Sequence, residues 1–538
     1  MRPTLQILLT LVANAWGADT APARLPADYA AKVAALEQAR QDHPRDAAVL
    51  DSLAGSYAMN GRYGKAIEAV EALQALLPGE PAPLLRLARL HAWNRNGRVA
   101  IRYYEAYLKL RQDDRAATIE LIRQRRYRGN YERAEQLCDR LLAVNAADAE
   151  VLTLKAEILH WAGNRTRSAR ASAESALAAA PESPDARVAY VNALEDLGER
   201  QNARHEFDAL QDEVSGRGGP PPGATYADAY QLLTEQLGES HKIKLQIPYT
   251  VYNDSDAIHD VSGGVRLLAP VHEDHSLELD VNEYTSSAPR GGIFTAGRDR
   301  TAVREFSAGG TLLAAPGVSL TLLAGGSALS GDGRVRPTFD LQAAITSVDR
   351  WTFTFGTSRA FLKVTPRSMD LSISSYAGTG TARYAIDSRT SISLQADRLW
   401  WSDSNHSASG GAVLERVLQK RRNLGLRGGL LTRAEGFTRD THFAAGFFTP
   451  DLYLRHEAFL HARLDLGRGV VWEVRGAGGA QRITQEASYQ PSWEITTWVS
   501  ARLAGTLRLS GNYQRRNYSL LSRDGWYQGF FISLGVQP

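Results

Sequence analysis

The sequence predicts a two-domain α + β protein: an N-terminal α-solenoid of helical repeats and a C-terminal antiparallel transmembrane β-barrel of about 16 strands. Three observations predict it. Composition changes near residue 215, from Ala, Leu, Glu and Arg at helical spacing to Gly, Ser, Thr and aromatics. Before the change a pattern recurs with a period near 34 residues. After it, side chains alternate with a period of two, the mark of a strand whose faces meet different solvents.

The first residues, MRPTLQILLTLVANAWGADTAP, combine a basic start, an apolar run and small residues before Ala18, so residues 1–17 read as a secretory signal peptide. No later stretch is apolar for the 18 or so residues a membrane helix needs, which leaves a closed barrel as the way to span a bilayer. A net charge of +3 names no polyanion such as nucleic acid as partner, and the lone Cys138 excludes an internal disulfide framework.

In the helical half, residues 28–213, Gly61, Gly97, Gly129, Gly163 and Gly198 each sit between two amphipathic stretches. Five residues after four of them come Ala66, Ala134, Ser168 and Ala203, where a second helix must approach the first closely; Arg102 departs from this in the second repeat. An aromatic precedes most of the glycines: Tyr57, Trp93, Tyr127 and Trp161, read as inter-helix core, as is Cys138. GRYGKA (61–66) and GNYERA (129–134) give this half a resemblance to the tetratricopeptide repeat, which implies a solenoid that binds peptides or partner proteins. Residues 214–239, with GRGGPPPG at their centre, read as a linker.

Residues 240–538 read as the barrel. Alternating segments such as SLELDVNEY (276–284), SWEITTWVSARL (492–503) and TLRLSGNYQRRNY (506–518) carry apolar residues on one parity and polar ones on the other. A soluble sandwich is the competing reading. Every second connection is very short (314–317, 347–349, 387–389, 467–469, 504–506), whereas others, such as 286–299 and 434–446, are long. Short turns on one rim and long loops on the other belong to outer-membrane barrels. Trp351, Trp400, Trp401, Trp472, Trp493 and Trp526 fall near strand ends, where interfacial girdles form.

From Lys242 to Asp524 there are 33 basic residues against 27 acidic. On the inward parity Arg463, Arg475, Arg502 and Arg508 form a positive arc near the short-turn rim, which predicts a pore favouring anionic cargo. Glu457, Glu473 and Glu494 could neutralise it as ordinary wall pairs; Glu473 and Glu494 are pore-lining candidates themselves.

Repeats followed by such a barrel resemble bacterial exopolysaccharide export porins of the cellulose and poly-N-acetylglucosamine type, and also the YaiO-like outer-membrane barrel family. The first resemblance implies an outer-membrane duct in a Gram-negative envelope. A polysaccharide would pass through its lumen, and periplasmic repeats would recruit synthesis proteins. The second implies a structural or receptor role. No catalytic motif, cofactor or metal site is expected: HEDH (272–275) is read as a polar turn. His456 and His461, the nearest approach to a barrel-embedded lipid-modifying site, differ in parity.

Overall fold

The computed structural model describes residues 27–538 apart from 164, 217, 222–223, 241, 273, 293, 296–297, 422, 468, 484–487, 505, 518–525 and 537–538. The signal-peptide segment 1–17 lies outside the described residues. The chain divides into two compact units, one up to Trp161 and one from Ala162 onward.

The first unit consists of paired helices: α1 (Ala27–Asp42), α2 (Ala47–Met59), α3 (Tyr63–Leu76), α4 (Pro81–Trp93), α5 (Gly97–Leu110), α6 (Arg115–Tyr127), α7 (Tyr131–Val144) and α8 (Ala149–Ala162). Asp46 and Asp114 cap α2 and α6 by accepting hydrogen bonds from N–H groups of the first turn. Leu50, Leu53, Ala54, Ala66, Ala69, Leu87 and Leu90 are buried at the contacts between helices. Alanine lets the backbones approach, and leucine fills the remaining space. Ion pairs tie successive repeats, among them Arg89 to Glu120 (2.7 Å), Arg115 to Asp148 (2.8 Å) and Arg86 to Asp51.

The repeat register differs from the glycine-based one. The helix-ending left-handed residues are Gly61, Arg95, Gly129, Gly163 and Gly198, with φ between 57° and 73°. Arg95 therefore occupies the turn position assigned to Gly97, which instead begins α5. Its turn has the same hydrogen bonds as its neighbours: Asn96 N–H to His91 C=O at 2.8 Å, as Asn130 N–H to Arg125 C=O at 2.9 Å. Counting from Arg95, the small residue is Ala100, fully buried, and the departure at Arg102 disappears. One extra loop residue in the fourth repeat likewise moves the packing position from Ser168 to Ala169, also fully buried. Tyr57 is core, but Trp93, Tyr127 and Trp161 are exposed. They occupy the position of Met59, two residues beyond Tyr57, on the outward side of their helices. Cys138 is fully buried, and burial pushes its thiol up to about 12.

The second unit opens with α9 (Thr166–Ala179), α10 (Pro184–Asp196), α11 (Arg200–Gly216) and α12 (Ala227–Ser240). The segment read as a linker thus contains the end of α11 and nearly all of α12. The Pro-Gly run breaks the chain only around 218–226; beyond it, Leu233 and Leu237 have helical spacing and pack with Val191, Phe207 and Leu210. A helix covering the last repeat is the device by which solenoids protect a terminal apolar face.

The barrel follows: β1 (Lys244–Asp254), β2 (His259–His272), β3 (His275–Ser287), β4 (Arg300–Ala315), β5 (Val318–Leu329), β6 (Val335–Val348), β7 (Trp351–Phe361), β8 (Ser374–Ala385), β9 (Thr390–Trp401), β10 (His406–Arg421), β11 (Leu424–Phe437), β12 (Tyr453–Gly467), β13 (Val470–Ile483), β14 (Gln490–Ala504), β15 (Leu507–Arg516) and β16 (Tyr527–Val536). Each strand pairs antiparallel with its chain neighbours, and β1 pairs with β16, Leu245 opposite Val536 through Asp254 opposite Tyr527, closing the 16-strand ring. Closure leaves no sheet edge. Two short helices, α13 (Pro366–Asp370) and α14 (His442–Ala445), lie in the β7–β8 and β11–β12 loops.

Candidate functional site

The alternation assigns each strand residue to a face. Leu277, Leu279 and Val281 on β3, Leu460 on β12, Ile495 on β14 and Ile532 on β16 are exposed aliphatics of one parity. They form part of an apolar outer band, which water would not support and lipid would. Among the described residues no helix is long and apolar enough to cross a membrane; the strands present the apolar surface. The opposite parity lines the bore. Trp351, Trp400, Trp493 and Trp526 are exposed near strand ends. Trp401 is not part of that set: its ring stacks with Phe437 and Phe447 inside the mouth, and its Nε1–H donates to Ser407 at 3.2 Å. Adjacent Trp400 and Trp401 cannot share a face, and inward-folded loops give Trp401 an apolar partner.

All six pore-lining candidates lie on the inner parity. Arg463 pairs with Glu473 at 2.6 Å, and Glu473 also meets His461 at 3.0 Å. Arg475 reaches Glu494 at 3.4 Å and lies over the Phe459 ring. Glu494 is shared with Arg455 (2.9 Å), which also holds the buried Glu457 at 2.6 Å. The carboxylates therefore take up Arg463 and Arg475, with Arg455 as a third participant. Arg502 stands directly opposite Arg508 in the β14–β15 register. Arg508 is exposed and makes no ion pair among the described residues. His456 faces outward against Thr432 (2.8 Å), so it and His461 do not meet.

The whole bore is two-sided. Arg427, Arg433, Arg455, Arg463, Arg475, Arg502, Arg508 and Arg516 line β11 to β15, where arginines outnumber carboxylates. Asp254, Asp260, Glu278, Asp280, Glu305 and Asp340 line β1 to β6 against Lys244, Arg266 and Arg336, and Lys363 of the β7–β8 loop pairs with Glu305. Parity alone could have found the acidic wall. The sequence reading missed it because it followed the arginine excess.

The short-turn mouth carries helices α9 to α12. The N–H of Gly317, in the β4–β5 turn, donates to Leu197 C=O at 2.7 Å; Ser168 Oγ donates to Asp349 in the β6–β7 turn at 2.6 Å; and Asp274 accepts the Arg200 N–H at 2.9 Å, capping the start of α11. HEDH is thus a docking turn; His272 and His275 lie ring to ring at 5.6 Å, and Glu273 falls outside the described residues. Between the helices and β6–β10 lies a cavity of about 350 Å³, lined by Thr166, Asp196, Arg350, Arg383, Asp387 and Glu415 among others.

The long-loop mouth is covered. Ile258, Ala288, Phe294, Ile373, Phe437, Ala445 and Phe447 form one buried apolar cluster. Its members come from the β1–β2, β3–β4, β7–β8 and β11–β12 connections. The β3–β4 and β11–β12 loops stand eight strands apart in a ring of 16, on opposite sides, so the cluster spans the mouth. Thr365 initiates α13 with a capping box to Ser368 and donates to Gly446 C=O at 2.7 Å. The Arg367 N–H reaches Phe294 C=O at 2.9 Å, and Met369 inserts against Val303 and Phe361. The signal for this cap was present in the sequence: LKVTPRSMDLSI (362–373) puts Leu362, Val364, Met369 and Ile373 in a loop without strand parity.

No family model matches the chain, and no curated protein is similar to it. Among solved structures it is similar to one described as a bacterial polysaccharide outer membrane secretin, with 13% identity and a TM-score of 0.47, over 56% of this chain and 99% of that one. It is also similar to MamA from Desulfovibrio magneticus, with 15% identity and a TM-score of 0.29, over 31% of this chain and 93% of that one. A tetratricopeptide repeat protein from Parabacteroides merdae is 17% identical with a TM-score of 0.29, over 38% of this chain and 77% of that one. The chain itself is a run of helical repeats followed by a closed 16-strand antiparallel barrel.

Proposed function

We infer that the chain is an outer-membrane duct that exports a bacterial exopolysaccharide. In this reading the repeats face the periplasm, recruit synthesis or polymer-modifying proteins and hand the polymer to the short-turn mouth. The barrel makes and breaks no covalent bond. The observation that supports it is a polar bore running from a mouth clasped by repeat helices to a mouth covered by the barrel's own loops. A water-lined bore suits a hydroxyl-rich cargo, and a cap suits a duct that opens only for it. Deleting the gene should abolish extracellular polymer while synthesis continues; polymer still reaching the surface would end the reading. The packed cap favours one rival, a YaiO-like surface barrel with a structural or receptor role, for which conductance should stay negligible even with the cap removed.

A further inference from the structure

Met59, Trp93, Tyr127 and Trp161 recur at intervals of 34 residues, each at or one residue before the end of the first helix of its repeat. They are 72%, 55%, 71% and 47% exposed. Large apolar side chains repeated at equivalent solvent-facing positions do not contribute to a core. The turns that follow them are rich in Arg and Asn: Asn94, Arg95, Asn96 and Arg98 after Trp93, and Arg128 and Asn130 after Tyr127. Segments 59–67, 93–104 and 121–131 contain no Asp or Glu. Arg95 and Arg98 are exposed and form no ion pair among the described residues, and Arg128 lies over Gly97 of the neighbouring turn. An independent observation concerns Arg95 alone. The other four turns of this kind place glycine in the left-handed region; this one places an arginine there, at φ 57°. Local strain in a non-glycine residue is a sign of function where a strain-free residue serves elsewhere in the same fold.

We propose that this turn edge of the repeats is a binding track for an acidic polysaccharide. Flat rings stack on the C–H faces of pyranose sugars, asparagine amides bond their hydroxyls, and arginines take carboxylate groups in two-pronged fashion. Ion pairs from Arg86 to Asp51, Arg89 to Glu120 and Arg126 to Glu157 tie successive first helices side by side, so the four side chains form a row along which an extended chain lies. Carboxylates are absent from these three segments, and Glu157, one turn before Trp161, is taken up by Arg126, so the edge selects the anionic polymer over a neutral or cationic one. The proposal deepens the export reading by naming the cargo class, but stands on the repeats alone.

The test uses the full-length chain in lipid nanodiscs, titrated calorimetrically with polygalacturonate oligomers, neutral cello-oligosaccharides and poly-glutamate. Polygalacturonate should bind, more weakly as salt rises. Trp93→Ala with Tyr127→Ala should weaken it at least tenfold. Arg95→Gly with Arg98→Ser should abolish the preference over the neutral glycan. Arg95→Gly relieves the turn, so a melting temperature that does not fall separates lost binding from lost folding. Equal binding of neutral and acidic glycans, tighter binding of poly-glutamate, no binding, or binding that the variants leave untouched would each overturn it. Export of polymer by cells carrying these variants is read separately, so a failed duct and a failed track give different results.

Discussion

Leu53 of the repeats and Val281 of the barrel are both aliphatic; the first is fully buried and the second 60% exposed. In the solenoid, apolar side chains converge between helices and charged ones face water. The barrel reverses this, with Leu, Val and Ile outward and Arg, Glu and Asp facing the bore. One chain thus contains two solutions to burying apolar surface, one against itself and one against lipid. The contrast shows that burial measures importance only once the solvent is known. Val281 is as well placed as Leu53, and the informative exceptions break the rule of their own half. These are Trp93, Tyr127 and Trp161, exposed in the repeats, and Phe437, Phe447 and Met369, buried inside the barrel mouth.

The largest expected effect tests that second exception. Replacing residues 362–373 by a Gly-Ser linker removes α13 and takes Leu362, Val364, Met369 and Ile373 out of the cap. Single-channel conductance in planar bilayers should rise on the order of tenfold, as expected when a hydrophobic constriction is lost from a water-lined bore. Unchanged conductance would count against the duct and for the structural or receptor reading. The comparison of solvents makes the next prediction two-sided. Leu53→Ala should destabilise the repeats by ~3 kcal/mol, seen as an earlier loss of helical circular dichroism. Val281→Ala should barely move the heat-induced gel-mobility shift of the barrel, whereas Val281→Arg should cost the barrel about 2–4 kcal/mol if this part of β3 sits deep in the bilayer. Equal tolerance of Arg and Ala at 281 would show that the outer face is not in lipid.

Most of the architecture was legible because each half has a strong period. The alternating segments, with every second connection short, predicted a closed barrel of about 16 strands, and the ring of 16 pairs β16 with β1. Where reading failed, a residue type had been trusted over its place in the period. Glycine was taken as the repeat marker, so Gly97 displaced Arg95, although a spacing of 34 residues on both sides pointed to the arginine. Tyr57 was grouped with Trp93 on chemistry, although Met59 holds the equivalent position. The inward arginines were legible from parity, and so were Glu473 and Glu494 as their partners; what escaped was Arg455, which shares Glu494 and holds Glu457. Residues 362–373 carried a local signal, apolar side chains without strand parity, but that this loop meets three others was illegible because they are far apart in sequence.

Acid should act on the repeats through two helix-start carboxylates. Asp114 is held below its ordinary value of 3.8 first by the Ala117 N–H and then by the Tyr107 hydroxyl, and Asp148 first by the Arg115 guanidinium and then by the Val151 N–H. Both are depressed, so over the interval between folded and unfolded values the unfolded chain binds more protons. Their contribution is complete above about pH 5 and is lost as pH falls through about 4 and below. Asp114→Asn should retain most of the cap while flattening that part of the profile, and Asp114→Ala should lower stability by ~1 kcal/mol at neutral pH. Melting followed at several acid pH values would show an unchanged slope in Asp114→Asn if the carboxylate is not responsible.

The smallest effect falls on the turn that the period, rather than the residue, identifies. Arg95 pays about 1–2 kcal/mol for a left-handed backbone, because its Cβ crowds the carbonyl oxygen. Glycine there removes the strain but gains freedom in the unfolded chain, which offsets part of the gain. Arg95→Gly should therefore stabilise the repeats by only about 0.5–1 kcal/mol, a rise of a few degrees in the helical melt with no change in the barrel. A fall instead would mean that the arginine side chain contributes more to the fold than its exposed position shows. Gly129→Arg, the mirror experiment one repeat later, should lose a comparable amount. If both substitutions shift stability in these opposite senses, the turn geometry is common to the two repeats and the arginine at 95 is retained for something other than folding.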